Sequence, residues 1–467
     1  MSEKSKPREG TIAVNGNLIK RLRENKGWSR EAMVEEIQRL HVLHPELISP
    51  IDTVNTLVRI ESNSVGYPKN ISAIAKALGT SVEDLRVHNP ISIFQSLIED
   101  RTKDFVGREF VFDAIEQFKT DKASGYFIIE GPPGIGKSSI MAAYHKRVEC
   151  PIHFNVRSAG IVNYDQFLQG ISQQLNARFS ITTGLPPKNA RDGSHLLKLL
   201  QEASEQLKWN DKLVVAVDAL DEANKSSLQQ GENILLLPPT LPTGVYFVLT
   251  TRPKANLPLY LQTHVHHFNL LDYDKHNLDD IRKYVEISAE KPKLRSWLKT
   301  HGIKEKEFID QLTLLSEGNF MYLHYVLPSI AEGHYEGLSF EKLPRGLERY
   351  YEDHWRRMGM TQSPLPMHKI KIIYILSEIE EPVTRSMIAD FASEDELTVQ
   401  GVLDEWGEFL QEDYVDDERC YQVYHASFQD FLRRNDTLQS AGVTLPGIHE
   451  CLSERMLNSM KELFDDE

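Results

Sequence analysis

The sequence GPPGIGKS at residues 131–138 decides the fold of this chain of 467 residues. It satisfies the pattern G-x-x-x-x-G-K-[ST], in which a glycine-rich turn brings several backbone N–H groups together. The apolar run from Tyr126 to Ile129 leads into the turn, and residues 138–147 follow with a helical pattern. A buried strand, a tight glycine turn and a helix in this order predict a loop that surrounds an anionic group at the helix N-terminus.

The residue types of this loop suit the phosphates of a nucleotide. Glycines permit the tight path and the close approach that the turn requires. Lys137 supplies a positive charge for the β- and γ-phosphates, and the Ser138 hydroxyl is a ligand for Mg²⁺. The sequence therefore predicts ATP or ADP with Mg²⁺ as cofactors, bound by one continuous segment. Its members are Gly131, Pro132, Pro133, Gly134, Ile135, Gly136, Lys137, Ser138 and Ser139.

A second apolar run carries acidic residues at its end. Residues 213–217 read LVVAV and lead into Asp218, and Asp221 and Glu222 follow. A carboxylate at a strand end beside a phosphate loop binds Mg²⁺, so we expect Asp218 to share the metal with the loop serine. Many P-loop ATPases place a base at the next position, which is Ala219 here. Asp221 or Glu222 would then position the attacking water, and we expect slow hydrolysis; helix capping is the alternative role for this pair.

A third apolar run, residues 245–250, ends at Arg252. Cationic groups stabilise the charge that develops in phosphoryl transfer, so Arg252 is a candidate sensor of the γ-phosphate. A surface salt bridge is the alternative interpretation. A further short apolar run covers Ile152 to Asn155. Short apolar strands that alternate with helical segments predict a buried parallel sheet.

Composition limits the class of protein. Hydrophobic residues make up 40% of the chain, charged residues 26%, and the net charge is −15. This acidity excludes a protein that coats nucleic acid over its whole surface. The apolar runs are too short to span a bilayer, and charged residues occupy the place of a signal peptide. We therefore predict a cytoplasmic protein with no membrane contact.

Neither cysteine nor histidine spacing indicates a metal centre. The three cysteines are far apart in the sequence, which fits neither a disulfide framework nor a zinc site. His264, His266 and His267 form a cluster, but no carboxylate or cysteine accompanies it at ligand spacing.

Charge is distributed unevenly along the chain. Residues 1–90 contain 13 Lys or Arg and 11 Asp or Glu, whereas the remainder contains 40 and 57. Any contact with nucleic acid is therefore expected at the N-terminal end, although charge alone favours a solvated helix face. Patterning divides the chain into six predicted segments. They are a helical N-terminal domain (1–90), a linker (91–104), an α/β core with the phosphate loop (105–268), a helical region (269–362), a region of helices followed by a hairpin with arms at 413–415 and 420–424 (363–435), and a C-terminal helix (436–467).

Several motifs occur together in a fixed order. FVGRE (105–109) precedes the phosphate loop, and SEGNFMYL (316–323) and YHASFQDFL (424–432) follow the strand that ends at Arg252. Over residues 105–435 this order resembles the STAND class of signalling NTPases, near its NACHT branch. The resemblance implies a multidomain α/β fold: a P-loop NTPase core with a parallel sheet (105–268), a helical lid (269–362) and a winged helix (363–435), preceded here by an all-α domain (1–90).

The resemblance also implies roles for single residues. Val106, Gly107 and Arg108 would border the adenine pocket, and His425 would reach the β-phosphate of ADP from the winged helix. A packed histidine on a strand edge is the alternative for His425. Many relatives have a proline that contacts the nucleotide within the segment 318–320, and this chain reads Gly-Asn-Phe there.

The N-terminal segment resembles a helix-turn-helix domain of the XRE type. LIKRLRENKGWSREAM, TLVRIE and ISAIAKALGTSVEDL follow that pattern, with a longer turn at residues 39–50. In such a fold one helix enters the major groove of double-stranded DNA, which makes Thr53, Asn55, Thr56 and Arg59 the candidate DNA contacts. A protein-docking domain of the same fold is the alternative.

Together these features predict a molecular switch. ADP would hold the closed state, and ATP with an unknown trigger would open it for self-association. The resemblance places the output in transcription regulation or bacterial defence. The alternatives are an AAA+-like ATPase that remodels DNA, and a non-hydrolysing DNA-binding regulator with structural ATP. Members of the class usually sense through a C-terminal repeat array, so either the chain is a fragment or sensing occurs elsewhere.

Overall fold

The computed structural model describes most of the chain. The described residues are 12–13, 19–20, 23–24, 26–43, 45, 53–63, 65–79, 91–179, 181, 183, 193–226, 228–333, 340, 343–379, 381–415 and 418–465. The chain divides into two compact units, residues 1–92 and 93–467. The predicted domain boundary at residue 90 lies outside the described residues.

The first unit is mainly helical. Its elements are β1 (Ile12–Ala13), α1 (Arg30–Leu43), α2 (Val54–Asn63), β2 (Val65–Gly66) and α3 (Pro68–Leu78), and the two short strands pair antiparallel. The Ser29 hydroxyl accepts a hydrogen bond from the backbone N–H of Ala32 at 3.1 Å, which caps α1 as the sequence indicates. Gly79 ends α3 in the left-handed conformation.

A buried ion cluster joins the helices of this unit. Glu61 of α2 is 5% exposed and accepts from Arg23 Nε and from Arg30 Nε, each at 2.7 Å. Around it pack apolar side chains at helical spacing. The buried ones are Ile19, Met33, Val34, Ile37, Leu57, Ile60, Ile71, Ala73, Ile74, Ala75, Ala77 and Leu78.

The second unit begins with a parallel sheet of five strands. They are β3 (Gly125–Glu130), β4 (Ile152–Phe154), β5 (Leu213–Asp218), β6 (Val245–Thr251) and β7 (Val265–Asn269). The spatial order is β4-β5-β6-β3-β7, so the strand that leads into the phosphate loop lies between β6 and β7. Because all strands run in one direction, their carboxyl ends meet at one edge of the sheet.

Helices surround this sheet. They are α4 (Gln95–Thr102), α5 (Glu109–Asp121), α6 (Lys137–Val148), α7 (Tyr164–Arg178) and α8 (Ser194–Ser204). The first four strands match the predicted apolar runs, whereas β7 was not predicted. Its sequence VHHFN exposes the residues at 265–267 and buries only Phe268, which is typical of an edge strand with little apolar signal.

A helical layer follows the sheet. It consists of α9 (Asp274–Glu290), α10 (Pro292–His301), α11 (Glu305–Leu315), α12 (Phe320–Ala331) and α13 (Gly346–Arg357). Asn319 begins α12 because its side chain accepts hydrogen bonds from the backbone N–H groups of Met321 and Tyr322. No strand occurs between residues 274 and 357 where the structure describes the chain.

The last part combines helices with a small antiparallel sheet. Its elements are α14 (Met367–Glu378), β8 (Val383–Thr384), α15 (Arg385–Ala392), α16 (Glu396–Glu405), β9 (Leu410–Val415), β10 (Glu418–Val423), α17 (Ala426–Leu432), α18 (Asn435–Ala441) and α19 (Leu445–Asp465). The hairpin β9–β10 was predicted, and β8 adds a third strand beside β10. One continuous apolar core joins this part to the helical layer.

The fold class predicted from the sequence is confirmed: a multidomain α/β chain with a P-loop NTPase sheet. Two details differ from the prediction. Residues 93–104, predicted as part of a linker, belong to the second unit, where Phe94 and Ile98 are each 2% exposed. The region after residue 435 forms two helices, α18 and α19, where the sequence indicated one.

Candidate nucleotide-binding site

The phosphate loop lies between β3 and α6. Gly134 and Gly136 have φ angles of 79° and 99°, a left-handed backbone that favours glycine. A Cβ atom at Gly134 would lie 2.4 Å from Asn319 Oδ1, so this position also requires glycine for space. Lys137 Nζ donates to the carbonyls of Gly131 at 2.7 Å and Pro132 at 3.1 Å, which holds the ammonium group over the loop.

The acidic strand end lies beside the loop. Asp218 is 3% exposed and accepts a hydrogen bond from Thr250 Oγ1 at 2.5 Å. Burial raises the pKa of Asp218, and the hydroxyls of Ser138 and Thr250 oppose that change. Asp218 and Ser138 therefore lie within reach of one another, the arrangement that a Mg²⁺ ion between them would need.

The two carboxylates after Asp218 are both engaged. Glu222 Oε2 accepts the backbone N–H of Arg157 at 3.0 Å, and burial raises the pKa of Glu222 to about 7. Asp221 Oδ2 lies 2.8 Å from Arg252 Nε, and Asp221 Oδ1 accepts the backbone N–H of Arg252 at 3.2 Å. The second guanidinium nitrogen of Arg252 lies 2.5 Å from Asp430 Oδ2. Arg252 thus joins the end of β6 to helix α17.

Arg108 is the most deeply buried arginine of the site, at 2% exposure. Its Nη2 donates to the carbonyl of Ile135 at 2.6 Å, and its backbone N–H donates to Asp280 Oδ2 at 2.9 Å. Its guanidinium carbon lies 4.9 Å from the ring centroid of Phe320. Burial lowers the pKa of Arg108 to about 10, although the Asp280 carboxylate opposes the change. Arg108 therefore connects the phosphate loop to α9 and α12.

The start of α12 contacts the loop directly. The backbone N–H groups of Phe320 and Met321 donate to the carbonyl of Gly134 at 3.0 and 3.2 Å. Asn319 Nδ2 donates to the carbonyl of Pro133 at 3.0 Å. The segment at residues 319–321 thus contacts the phosphate loop itself.

His425 lines the same cavity from the segment between β10 and α17. Its Nδ1 accepts the backbone N–H of Ser427 at 3.1 Å, which caps helix α17. Because Nδ1 is an acceptor, the neutral ring carries its proton on Nε2. The Ser427 hydroxyl lies 2.6 Å from Nδ1 and 2.8 Å from the hydroxyl of Tyr351. Burial, together with nearby positive groups, lowers the pKa of His425 well below its ordinary value.

These side chains surround one cavity of about 370 Å³. Most of the predicted site residues line it: Val106, Arg108, Pro133, Gly134, Gly136, Lys137, Ser138, Ser139, Asp218, Asp221, Glu222, Arg252 and His425. Four predicted residues do not: Gly107, Gly131, Pro132 and Ile135. Of these, Gly107 lies so close to Asp280 that a Cβ atom would stand 1.9 Å from its Oδ1.

Sequence reasoning missed several residues of the cavity wall. The main ones are Asp100, Arg101, Asn155, Tyr284, His324 and Tyr424. Tyr424 belongs to a motif that was recognised, and its position beside His425 was the available signal. The others lie in helices or strand ends whose patterns show nothing beyond secondary structure.

The four candidate DNA contacts lie in the first unit. Thr53 immediately precedes α2, and Asn55, Thr56 and Arg59 lie along one face of the helix. Thr56 is partly exposed and the other three are exposed. Leu57 on the opposite face is fully buried. All four candidates therefore share a solvent-facing surface.

Within the described ranges, no group of three or more His, Cys, Asp or Glu side chains is placed to hold a metal ion. A Mg²⁺ ion in a nucleotide site takes few protein ligands, because phosphates and water supply the rest. Among the described helices, none combines the length and the apolar character needed to cross a membrane.

The sequence comparisons agree with this geometry. Residues 104–248 match the family model of the AAA ATPase domain. This segment includes the phosphate loop and the acidic strand end, so the chain carries a P-loop NTPase domain. A search of curated protein sequences found no match.

Solved structures align with the chain at low TM-scores. A STAND protein with a tetratricopeptide repeat sensor from Pyrococcus horikoshii is 17% identical, with a TM-score of 0.37, over 71% of this chain and 42% of that protein. The chain thus spans less than half the length of that protein. A Thermotoga maritima RuvB mutant is 14% identical, with a TM-score of 0.27, over 70% of this chain and 96% of that one. A chain of Drosophila ORC bound to DNA is 12% identical, with a TM-score of 0.28, over 74% and 98%.

Proposed function

We propose that the chain is an ATP/ADP-dependent switch of the STAND class, of NACHT type, which passes from a closed ADP-bound state to an ATP-bound state that self-associates. One observation carries the proposal: the phosphate loop, the helical lid and the winged helix all supply side chains to the same cavity. A nucleotide in that cavity would contact all three parts, so its identity can determine whether they stay together.

The loop and the acidic strand end fit a magnesium nucleotide. Lys137 would lie against the β-phosphate, and the backbone N–H groups of the loop would surround it. Ser138 and Asp218 would hold Mg²⁺, which neutralises phosphate charge when bound. Val106 lines the cavity near the adenine side in this proposal, while Arg108 supports the loop from behind.

His425 would close the site over the phosphates. Its neutral ring carries the proton on Nε2, which is a hydrogen-bond donor for a phosphate oxygen. Burial keeps the ring neutral, because the pKa of His425 is lowered well below its ordinary value. A contact from α17 to ADP would hold the winged helix against the core.

Arg252 explains how ATP would open this arrangement. In the closed state its guanidinium is shared by Asp221 of the core and Asp430 of α17. The γ-phosphate of ATP would compete with Asp430 for this cation, since charge-assisted bonds from arginine to phosphate are strong. Loss of the Arg252–Asp430 bridge would favour departure of the winged helix.

Hydrolysis in the closed state should be slow. Position 219 carries alanine, Asp221 is bound to Arg252, and Glu222 accepts a backbone N–H. A water-positioning role for Asp221 or Glu222 would require these contacts to change. The proposal therefore includes weak ATPase activity that rises on assembly.

The simplest test is to denature freshly purified protein and identify the nucleotide released. We expect stoichiometric ADP. His425→Ala should lose it during dialysis and form larger assemblies with ATP, measured by light scattering. His449→Ala is the matched control, because His449 is exposed and lies outside the cavity. Unchanged ADP retention in the His425 variant would remove the basis of the switch.

The output would pass through residues 1–90 as a helix-turn-helix domain of XRE type that binds double-stranded DNA. The exposed face of α2 with Thr53, Asn55, Thr56 and Arg59 supports this assignment. Regulation of transcription or a bacterial defence response in the cytoplasm would follow, with a trigger that is a protein or a small ligand.

DNA binding has its own test. Arg59→Ala should weaken binding and reduce the slope of log affinity against log salt by about 1, because one phosphate contact is lost. Lys69→Ala, another exposed cation of this unit, should leave the slope unchanged. Fluorescence anisotropy with labelled duplex DNA measures both. Absence of salt-dependent binding in the wild-type protein would favour a protein-docking domain.

A second candidate follows from the family match. Residues 104–248 match the AAA ATPase domain, and AAA+ proteins include motors that remodel DNA. Continuous ATP turnover stimulated by duplex DNA, lost in Lys137→Ala, would favour this function over a switch. No ATP turnover at all would favour a regulator that binds ATP as a structural ligand. The contacts that Asp221 makes with Arg252, and Glu222 with the backbone of Arg157, support that alternative.

A further inference from the structure

Helix α4 forms a wall of the nucleotide cavity although it precedes the matched ATPase segment. Leu97, Asp100 and Arg101 line the cavity. The helix is fixed to the core on its other side, where Ile98 is 2% exposed and Lys146 Nζ of α6 lies 2.5 Å from Thr102 Oγ1. A rigid helix with polar side chains in a ligand cavity can position other groups around that ligand.

The side chain of Arg101 reaches the winged helix. Its Nη1 donates to the Tyr424 hydroxyl at 3.0 Å, and its guanidinium carbon lies 5.1 Å from the centroid of the Tyr424 ring. Tyr424 also stacks on His324 of α12, with ring centroids 5.4 Å apart and planes 17° apart. Three parts of the chain, namely α4, the lid and the winged helix, therefore meet at one tyrosine.

Tyr424 immediately precedes His425. Its backbone N–H donates to the carbonyl of Phe409 at 2.8 Å, so backbone and ring are both held. His425 has extended backbone angles, and its Nδ1 is fixed by Ser427. With the chain fixed on both sides of His425, the direction of its Nε2–H group depends on where Tyr424 is held.

We propose that Arg101 is a positioning residue for nucleotide retention: it holds Tyr424 against the lid and thereby keeps His425 directed at the phosphates. The inference rests on the proposed closed ADP-bound state and adds a helix that sequence patterning assigned to a linker. The positive charge of Arg101 also favours nucleotide retention in this proposal, because it is among the positive groups that lower the pKa of His425 and keep its ring neutral.

The test measures the release rate of a fluorescent ADP analogue, mant-ADP, from the full chain after a chase with unlabelled ADP. Arg101→Gln should accelerate release about 10-fold, since a hydrogen bond and a cation–π contact are both lost. Tyr424→Phe keeps the ring and removes only the hydroxyl, so a smaller acceleration is expected. Arg147→Gln is the matched control: Arg147 lies 5.1 Å from the Phe112 centroid and pairs with Glu109 at 2.8 Å, outside the cavity.

A double-mutant cycle with His425→Ala separates positioning from direct contact. If Arg101 acts through His425, Arg101→Gln should add nothing to the release rate of the His425 variant. Equal acceleration in both backgrounds would show that Arg101 contacts the nucleotide itself, which overturns the inference. Rapid release from His425→Ala with normal release from Arg101→Gln would also overturn it, yet leave the proposed function intact.

A failure of the proposed function and a failure of the role of Arg101 give different results. Normal release from His425→Ala would contradict the proposed function, whatever Arg101 does. If Arg101→Gln does not fold, as judged by its thermal unfolding, Tyr424→Phe provides the decisive comparison, because it retains the charge, the ring and the stacking on His324. A release rate identical to wild type in that variant would then overturn the inference.

Discussion

The two sides of the nucleotide cavity are built in different ways. The core side consists of one short loop and the ends of neighbouring parallel strands, so Lys137, Ser138 and Asp218 come together through local geometry. The closing side consists of single side chains from α4, α12 and α17, which meet only through tertiary packing. Arg101 and Tyr424, for example, are 323 residues apart.

This difference suggests separate roles for the two sides: the core side would determine nucleotide affinity, and the closing side would determine nucleotide release and assembly. In the proposed switch, the backbone N–H groups and the ammonium group of the loop would bind phosphate in the same way in both states. Contacts from α12 and α17 would exist only in the closed state, and a switch needs contacts that differ between its states. We therefore expect changes on the core side to affect equilibrium binding most, and changes on the closing side to affect release and assembly.

The largest effect is expected on the core side. Lys137→Ala should weaken ADP binding about 10- to 150-fold, because a charged hydrogen-bond donor to phosphate contributes about 1.5–3 kcal/mol. Titration with mant-ADP measures the change. Lys122→Ala, at an exposed lysine just after α5 and outside the cavity, should bind normally. An equally large loss of equilibrium affinity in His425→Ala would remove the distinction between the two sides.

The core side could be predicted from the sequence because its chemistry follows from chain direction. Eight consecutive residues contain the phosphate loop, and buried apolar runs end at Asp218 and just before Arg252. Parallel strands bring those ends to one edge without any knowledge of side-chain packing. Strand β7 was missed for the converse reason, since an exposed edge strand with polar residues has no continuous apolar run.

The closing side could be predicted only in part. A motif indicated His425, but its tautomer follows from the Ser427 contact, which no sequence pattern shows. The sequence placed Arg108 at the border of the adenine pocket, and the contact of its guanidinium with the carbonyl of Ile135 in the loop appears only in the structure. Arg101 lay in a predicted linker. Each of these depends on contacts between distant segments, and sequence periodicity reports only which face of an element is apolar.

Acid should weaken the closing side before it affects the core side. The charged and titratable groups around His425 are Arg101, Lys137, Arg252 and His324, and with burial they lower its pKa well below the ordinary value. Stability of the closed form that depends on a neutral His425 is complete above the open-state pKa of about 6.5 and is lost as pH falls below it. We expect mant-ADP release to accelerate about 10-fold between pH 7.5 and pH 5.5.

The control for this pH effect is His425→Asn. An asparagine oxygen can still cap α17, but it does not titrate over this range. Its release rate should therefore change much less between the two pH values, whatever its absolute rate. A pH profile shared by both proteins would assign the effect to other groups of the cavity.

The smallest effect is expected where the two sides meet, at the Arg252–Asp430 bridge. Its side chains are 28% and 46% exposed, so solvent screening limits its contribution to about 0.5–1 kcal/mol. Asp430→Asn should accordingly accelerate mant-ADP release about 3- to 5-fold and lower the ATP concentration needed for assembly. The shift arises because Arg252 becomes available to the γ-phosphate while Asp221 still orients it.

Asp436→Asn is the matched control for Asp430→Asn. Asp436 also pairs with an arginine, Arg434, at 2.5 Å near the end of the winged helix, but neither residue lines the nucleotide cavity and Asp436 is 66% exposed. Static light scattering over a series of ATP concentrations compares the two variants. If the two variants assemble at the same ATP concentration, the bridge to Asp430 has no part in the response of Arg252 to the γ-phosphate. In that case the γ-phosphate would have to act on the closing side through His425, and the two sides of the cavity would be coupled by a single residue.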